Sequence, residues 1–207
     1  MKKVFFSMLM LSIIIFSNYT YASTMEFRSF LASELTTDEA CTVTTELASS
    51  VYRLLGYNNR LSGNGYTSTN KKSTVLSYIS ELGNNFAFFV TAHGNTGLFS
   101  MDNSDSSQII YTSDISGYWH LVFINSCLTL SNDSMARAFK TVGYDNRVTM
   151  GWYDEVNTYA SCEWWTHFSE CVGTTNLRSA CLIAADQCLR YTPIRIFGDT
   201  TWDGHAL

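Results

Sequence analysis

The sequence of 207 residues contains few charges and almost no proline. Charged side chains make up 15% of it, against about 25% in an average globular protein, and the formal net charge is −5. The basic excess that nucleic-acid binding requires is therefore missing. One proline and scattered glycines mark no linker between domains, and no internal repeat is present. Because 46% of the residues are apolar, the chain can build a sizeable core, and disorder is not expected.

Residues 1–22 have the pattern of an export signal. Two lysines precede the apolar run 4–16, and the polar stretch after it ends in Ala22, where cleavage is expected. A run of 13 residues is short for a membrane span of ~20, so an uncleaved anchor is the weaker alternative. We predict a signal peptide over residues 1–22 and one domain over residues 23–207. That domain would be secreted or periplasmic and would not be held in the membrane.

Six cysteines follow the predicted signal: Cys41, Cys127, Cys162, Cys171, Cys181 and Cys188. An oxidising compartment would favour disulfides between some of them, although the sequence does not give the connectivity. Cys162, His167 and Cys171 could instead bind a metal, but they lack the paired C-x-x-C spacing of zinc sites, and we predict none. Asp199 and Asp203 could hold calcium, yet two carboxylates in a turn are usually only a turn. No cofactor is predicted.

Strand and helix patterns alternate along the chain. Strands are predicted at 27–32, 86–90, 121–124 and 147–152, with two short ones within 97–101 and 108–111. Helices are predicted at 37–55, 72–82, 135–142, 156–168 and 177–189, and residues 58–70 read as a loop. This alternation indicates an α/β fold with a mostly parallel sheet flanked by helices. In such sheets the chemistry lies outside the carboxyl ends of the strands.

Two reactive side chains follow the two most apolar strands. His93 comes after 86–90 in the segment Thr-Ala-His-Gly, and Cys127 comes after 121–124 in Asn-Ser-Cys. A Cys127 thiolate can attack a carbonyl carbon, and the His93 imidazole can protonate a leaving amine. Gly94 has no Cβ, so its backbone can approach the scissile carbonyl closely. Its N–H and that of Cys127 could then stabilise the oxyanion.

This order of elements resembles the caspase–hemoglobinase fold (clan CD) cysteine peptidases, a group that includes caspases, legumains, gingipains and clostripain. Their pattern is an apolar block followed by His-Gly, then a second apolar block followed by a short polar step and Cys. The likeness continues at 74–76, 135–139, 143, 151–152, the late alanine-bearing helix and 197–199.

The resemblance implies a three-layer sandwich and a cysteine endopeptidase acting on peptide or protein substrates. Cys127 would be the nucleophile and His93 the proton donor of a catalytic dyad. The residues after Cys127, Leu-Thr-Leu, differ from the Arg-Gly of caspases. Caspase-like aspartate specificity is therefore not implied.

The loop after the strand ending at Trp152 commonly contributes to the substrate pocket in this fold. Here it carries Asp154 and Glu155, and an acidic floor would select Lys or Arg. The alternative is that these carboxylates cap the helix that follows them.

Other functions must be weighed against the peptidase. A His and a Cys at strand ends can each be structural, and the chain would then be a catalytically inactive binding or interaction module. A nucleotide site is poorly supported, because the glycine-rich segment 62–65 lacks the G-x-G-x-x-G spacing. His120, His167 and His205 are interpreted as structural or solvated. The sequence does not predict an oligomeric state.

Overall fold

A computed structural model describes residues 25–58, 65–81 and 84–207. The predicted signal peptide lies outside the described residues, as does most of the segment 62–65. The strands are β1 Glu26–Ala32, β2 Thr67–Thr69, β3 Asn84–Thr91, β4 His93–Asn95, β5 Leu98–Ser100, β6 Ile109–Tyr111, β7 Tyr118–Asn125, β8 Val148–Trp152 and β9 Ile194–Gly198. The helices are α1 Glu39–Leu54, α2 Lys72–Glu81, α3 Ser134–Ala138, α4 Thr158–Cys171 and α5 Leu177–Gln187.

Six strands form the central sheet in the order β2-β1-β3-β7-β8-β9. All neighbouring pairs are parallel except β8 and β9, which are antiparallel. Strands β4, β5 and β6 form a separate antiparallel sheet. The predicted α/β class with a mostly parallel sheet is confirmed.

The two central strands each contain a continuous apolar run, 86–90 in β3 and 121–124 in β7, because helices cover both faces of the sheet. Phe89 of β3 and Phe123 of β7 pack in a core with α1, α4 and α5. Their neighbours Phe88 and Val122 point to the other face and pack with α2 and α3. Side chains alternate across a strand, so a strand buried on both faces needs a continuous apolar run. The result is three layers, with β3 and β7 in the middle.

The elements that the sequence analysis missed are short or peripheral. β2 has three residues, all serine or threonine, and it pairs at the edge of the sheet beside β1. β9 forms the opposite edge, and each of its residues is half-buried. Such strands are defined by pairing with a neighbour rather than by a strong hydrophobic pattern of their own.

The cysteines are all unpaired thiols, so the predicted disulfides are not present. Several of these thiols lie against other groups instead. Cys171 Sγ is 3.4 Å from the Ala180 carbonyl oxygen, and Cys188 Sγ is 3.1 Å from that of Ala184. Cys181 Sγ is 3.4 Å from a methionine sulfur. Among the residues described, no helix is both long and apolar enough to cross a bilayer.

Candidate active site

The register of the two central strands places His93 and Cys127 at equivalent positions beyond the ends of β3 and β7. Thr91 of β3 lies opposite Asn125 of β7, and the Ala92 N–H donates to the Asn125 carbonyl oxygen at 3.2 Å. His93 and Cys127 are each two residues beyond this pair. Since neighbouring strands run about 4.8 Å apart, the imidazole and the thiol emerge at one rim of the sheet.

Both residues line one open cleft of about 1060 Å³. Its walls come from the first part of α1, the ends of β3 and β7, the small sheet, the turn at 102–106 and the loop before α4. The His93 side chain is 46% exposed, and Cys127 is half-buried. Solvent can therefore reach both groups.

Gly94 lies in close contact with the segment that follows β7. A Cβ at this position would lie 1.9 Å from Ser126 Oγ and 2.8 Å from the carbonyl oxygen of Cys127. In the β4–β5 hairpin Asn95 pairs with Leu98 across a two-residue turn, and Gly94 is the next position. Positions alternate along an antiparallel pair, so Gly94 occupies a non-hydrogen-bonded position and its N–H points away from β5.

The Cys127 sulfur is held against the loop that follows β8. The Val156 N–H donates to Cys127 Sγ at 3.5 Å, and the Leu128 N–H donates to the Asp154 carbonyl oxygen at 3.2 Å. Leu128 has a φ of 59°, in the left-handed region that a leucine rarely adopts. Within the described chain the Cys127 N–H has no hydrogen-bond acceptor. It is therefore free to donate to a ligand.

Glu34, which the sequence analysis did not single out, contacts the imidazole. Its Oε1 lies 3.4 Å from His93 Nε2 and also accepts the Asn103 N–H at 2.9 Å. The carboxylate is thus fixed from one side and can orient the ring from the other, which leaves Nδ1 for other partners. Glu34 belongs to a single 3₁₀ turn after β1. In the sequence, the one indication that Glu34 belongs to the site is that it follows a predicted strand.

Asn125 anchors the floor of the cleft. Its Nδ2 donates to Thr91 Oγ1 at 3.1 Å, while Trp152 Nε1 and Ser161 Oγ each donate to its Oδ1 at 2.7 Å. Thr91 Oγ1 is also 2.9 Å from Thr45 Oγ1 of α1. Hydrogen bonds therefore tie the two central strands to β8, α1 and α4 just before the nucleophile candidate.

Comparison with known proteins gives a result at the level of structure. No family model matches the sequence, and no curated protein matches it significantly. The structure is similar to that of caspase-1 from Spodoptera frugiperda, with a TM-score of 0.53 and 11% sequence identity over 87% of this chain and 88% of that one. The chain has the caspase–hemoglobinase fold. It also aligns with the Arg-specific cysteine proteinase gingipain R, at a TM-score of 0.48 and 10% identity over 86% of this chain and 46% of that one.

The end of β8 and the loop after it, in this caspase-like fold, hold the three predicted pocket residues in different environments. Trp152 is fully buried and reaches the cleft only through its bond to Asn125. Asp154 is exposed, and its Oδ1 accepts the Glu155 N–H at 2.8 Å. Glu155 is exposed and lines the cleft. Asn157, not either acid, caps α4, so the alternative in which Asp154 and Glu155 cap that helix is wrong.

The other polar candidates have partners outside the cleft. Asp199 Oδ1 accepts from the N–H and the hydroxyl of Thr201, and these bonds lower the pKa of Asp199. His205 contacts Asp203 at 3.2 Å. Over the described ranges, no three His, Cys, Asp or Glu side chains are arranged to hold a metal ion.

Proposed function

We propose that this protein is a secreted cysteine endopeptidase in which Cys127 and His93 form the catalytic dyad. The observation that carries the proposal is their placement two residues beyond a paired position on neighbouring strands, at the rim of one open cleft. The caspase-like fold supports a cysteine peptidase. The cleft is open to solvent, which suits cleavage within a longer peptide chain. Export by residues 1–22 is part of the proposal.

The first half of the reaction forms an acyl enzyme. Cys127 transfers its thiol proton to His93, and the thiolate attacks the scissile carbonyl carbon to form a C–S bond. The N–H groups of Gly94 and Cys127 donate to the oxyanion that develops. His93 then passes the proton to the amine nitrogen as the C–N bond breaks, and the amine product leaves.

The second half restores the enzyme. His93 takes a proton from water while the water oxygen attacks the thioester carbon. The C–S bond breaks, the peptide acid leaves, and the proton returns from His93 to the sulfur. Glu34 acts as a positioning residue here, because its contact with Nε2 keeps the ring turned toward the cleft.

Hydrolysis of a peptide library by the full chain and by single variants tests this proposal. Under reducing conditions we expect cleavage that Cys127→Ala abolishes and that His93→Ala lowers at least about 100-fold. Cys188→Ala is the matched control, since this half-buried thiol lies outside the cleft and its loss should not change the rate. Cleavage that survives Cys127→Ala would reject the mechanism.

Selective alkylation gives a second readout that does not need a known substrate. Burial raises the pKa of the other five thiols, to about 12 for Cys41 and about 11 for Cys188. These thiols stay protonated at pH 8 and should react slowly with iodoacetamide. Mass spectrometry should find Cys127 modified first in the native protein. If iodoacetamide does not modify Cys127, the result would favour the inactive interaction module instead.

A further inference from the structure

The segment that follows Cys127 is a tight turn whose first residue has a strained backbone. We call residues 128–131 the 128–131 turn, and it is closed by the Ser131 N–H, which donates to the Leu128 carbonyl oxygen at 2.9 Å. Leu128 has a φ of 59°, in the left-handed region that is unfavourable for any residue with a Cβ. Such a conformation persists only where the surrounding structure holds it.

The N–H groups of the turn are bonded to the end of β8 and the loop after it. The Leu128 N–H donates to the Asp154 carbonyl oxygen at 3.2 Å, and the Leu130 N–H donates to that of Trp152 at 3.0 Å. These bonds fix one side of the turn. They leave the carbonyl oxygens of Leu130 and Ser131 to be paired by donors from another element.

Arg195 of β9 supplies those donors. Its Nη1 donates to the Ser131 carbonyl oxygen at 2.7 Å and to the Leu130 carbonyl oxygen at 3.3 Å. Its Cζ lies 4.6 Å from the centroid of the Tyr153 ring, and it forms no ion pair with a carboxylate of the described residues. Hydrogen bonds from a charged donor are stronger than those from a neutral one. The charge of Arg195 is therefore directed at the backbone of the turn.

Gly151 opens the path from β9 to the turn. Arg195 is paired with Gly151 across the antiparallel β8–β9 ladder, and paired residues have their side chains on the same face of a sheet. Leu130 packs directly on Gly151, where an added Cβ would lie 3.2 Å from Leu130 Cδ1. Arg195 therefore reaches the turn across β8, although it does not line the cleft itself.

We propose that Arg195 is a positioning residue, which holds the 128–131 turn and through it the backbone of Cys127. The inference rests on the proposed function for the role of Cys127 as nucleophile. Without Arg195, two carbonyl oxygens lose their donor and Leu128 can leave the left-handed region. The peptide between Cys127 and Leu128 then rotates, and its carbonyl oxygen packs against Gly94. The sulfur and the Gly94 N–H would therefore no longer be held in one arrangement with His93.

The rate at which iodoacetamide alkylates Cys127 in the folded protein measures this effect without a known substrate. Arg195→Met removes the donors and the charge but keeps an unbranched side chain. We expect it to lower the rate constant at pH 8 about tenfold, because a nucleophile displaced from its base by about 1 Å reacts much more slowly. Arg195→Lys keeps a charged donor and should lower the rate constant only about two- to threefold. Arg195→Gln has the same expected result as Arg195→Met and replaces it if that variant does not fold.

Peptide hydrolysis separates positioning from substrate binding. In Arg195→Met we expect kcat to fall about tenfold while KM changes less than about twofold. Arg190→Met is the matched control, because Arg190 pairs with Glu163 at 3.0 Å and lies outside the cleft. It should change neither the alkylation rate nor kcat. All rates are measured where denaturation curves show each variant to be fully folded, so that a loss of global stability does not enter them.

A double-mutant cycle tests whether Arg195 acts through the conformation of Leu128. Glycine adopts the left-handed region without strain, so in a Leu128→Gly background Arg195→Met should slow alkylation only about two- to threefold. Leu128→Ala also removes the side chain but keeps the strain. In that background Arg195→Met should still slow alkylation about tenfold.

Four results would overturn the inference: an Arg195→Met protein that reacts as fast as the parent, an Arg195→Lys protein as slow as Arg195→Met, equal losses in the Leu128→Gly and Leu128→Ala backgrounds, or a parent Cys127 that iodoacetamide does not modify. Failure of the proposed function looks different. If alkylation depends on Arg195 as expected but no peptide is cleaved, the peptidase is rejected and the positioning of Cys127 by Arg195 remains.

Discussion

Gly94→Ala is the substitution that most directly tests how the two strand ends meet. The new Cβ would lie 1.9 Å from Ser126 Oγ, 2.6 Å from Thr129 Oγ1 and 2.8 Å from the carbonyl oxygen of Cys127. Gly94 is not among the glycines with positive φ, so alanine can adopt its backbone conformation. The whole cost of the substitution is therefore steric.

The three contacts set the magnitude. Each is much shorter than the roughly 3.5 Å of a favourable contact. The two hydroxyls can rotate away, but the Cys127 carbonyl belongs to the backbone and can move only together with the rest of Cys127. Inserting a methyl into a packed site costs about 1–3 kcal/mol, and we expect the upper end, about 3 kcal/mol. A displacement of Cys127 by about 1 Å would lower kcat/KM about 100-fold.

Guanidinium denaturation and peptide hydrolysis measure the two effects. Gly143→Ala is the matched control: its φ is +84° and no atom lies within 4 Å of the added Cβ, so it should cost only the roughly 1–2 kcal/mol of a left-handed alanine and leave activity unchanged. Adding Ser126→Ala to Gly94→Ala removes the shortest contact but not the one with the Cys127 carbonyl. Stability should recover by about 1 kcal/mol while activity stays low. A Gly94→Ala protein as stable and active as the parent would refute the geometry.

Other substitutions test the supports of the site. The Asp38 carboxylate caps α1 by accepting two backbone N–H groups. Asp38→Ala removes this cap and should lower the unfolding free energy by about 1 kcal/mol; an unchanged denaturation midpoint would contradict this. Trp152→Phe deletes the buried bond to Asn125 and should cost about 1–2 kcal/mol, with slower hydrolysis, whereas an unaffected rate would show that the floor does not position Cys127. Burial lowers the pKa of His120 below its usual 6.5, so the unfolded chain binds the proton more readily. The stability that neutral His120 gives the folded protein is therefore complete above pH 6.5 and is lost as the pH falls below that value. The His120→Gln variant should therefore show a smaller loss of unfolding free energy between pH 7 and pH 5.

The parts of the fold that can be predicted from the sequence are the elements with a clear hydrophobic pattern of their own. β3 and β7 are buried on both faces, and their apolar runs predict them directly. Since chemistry in parallel sheets lies beyond the carboxyl ends, His93 and Cys127 could be paired before their neighbours were known. The structure brings both to the same cleft.

The order of strands in the sheet cannot be read from such patterns, and Glu34 depends on it. β1 pairs with β3, with Leu31 opposite Thr91. Glu34 is three residues beyond Leu31, and His93 is two beyond Thr91, so the two side chains meet because their strands are neighbours. Nothing local in the exposed 3₁₀ turn that holds Glu34 indicates a contact with an imidazole.

Specificity is hidden in the sequence for a related reason. The adjacent acids Asp154 and Glu155 suggest a charged pocket in the sequence, but Asp154 is outside the cleft and Glu155 is exposed.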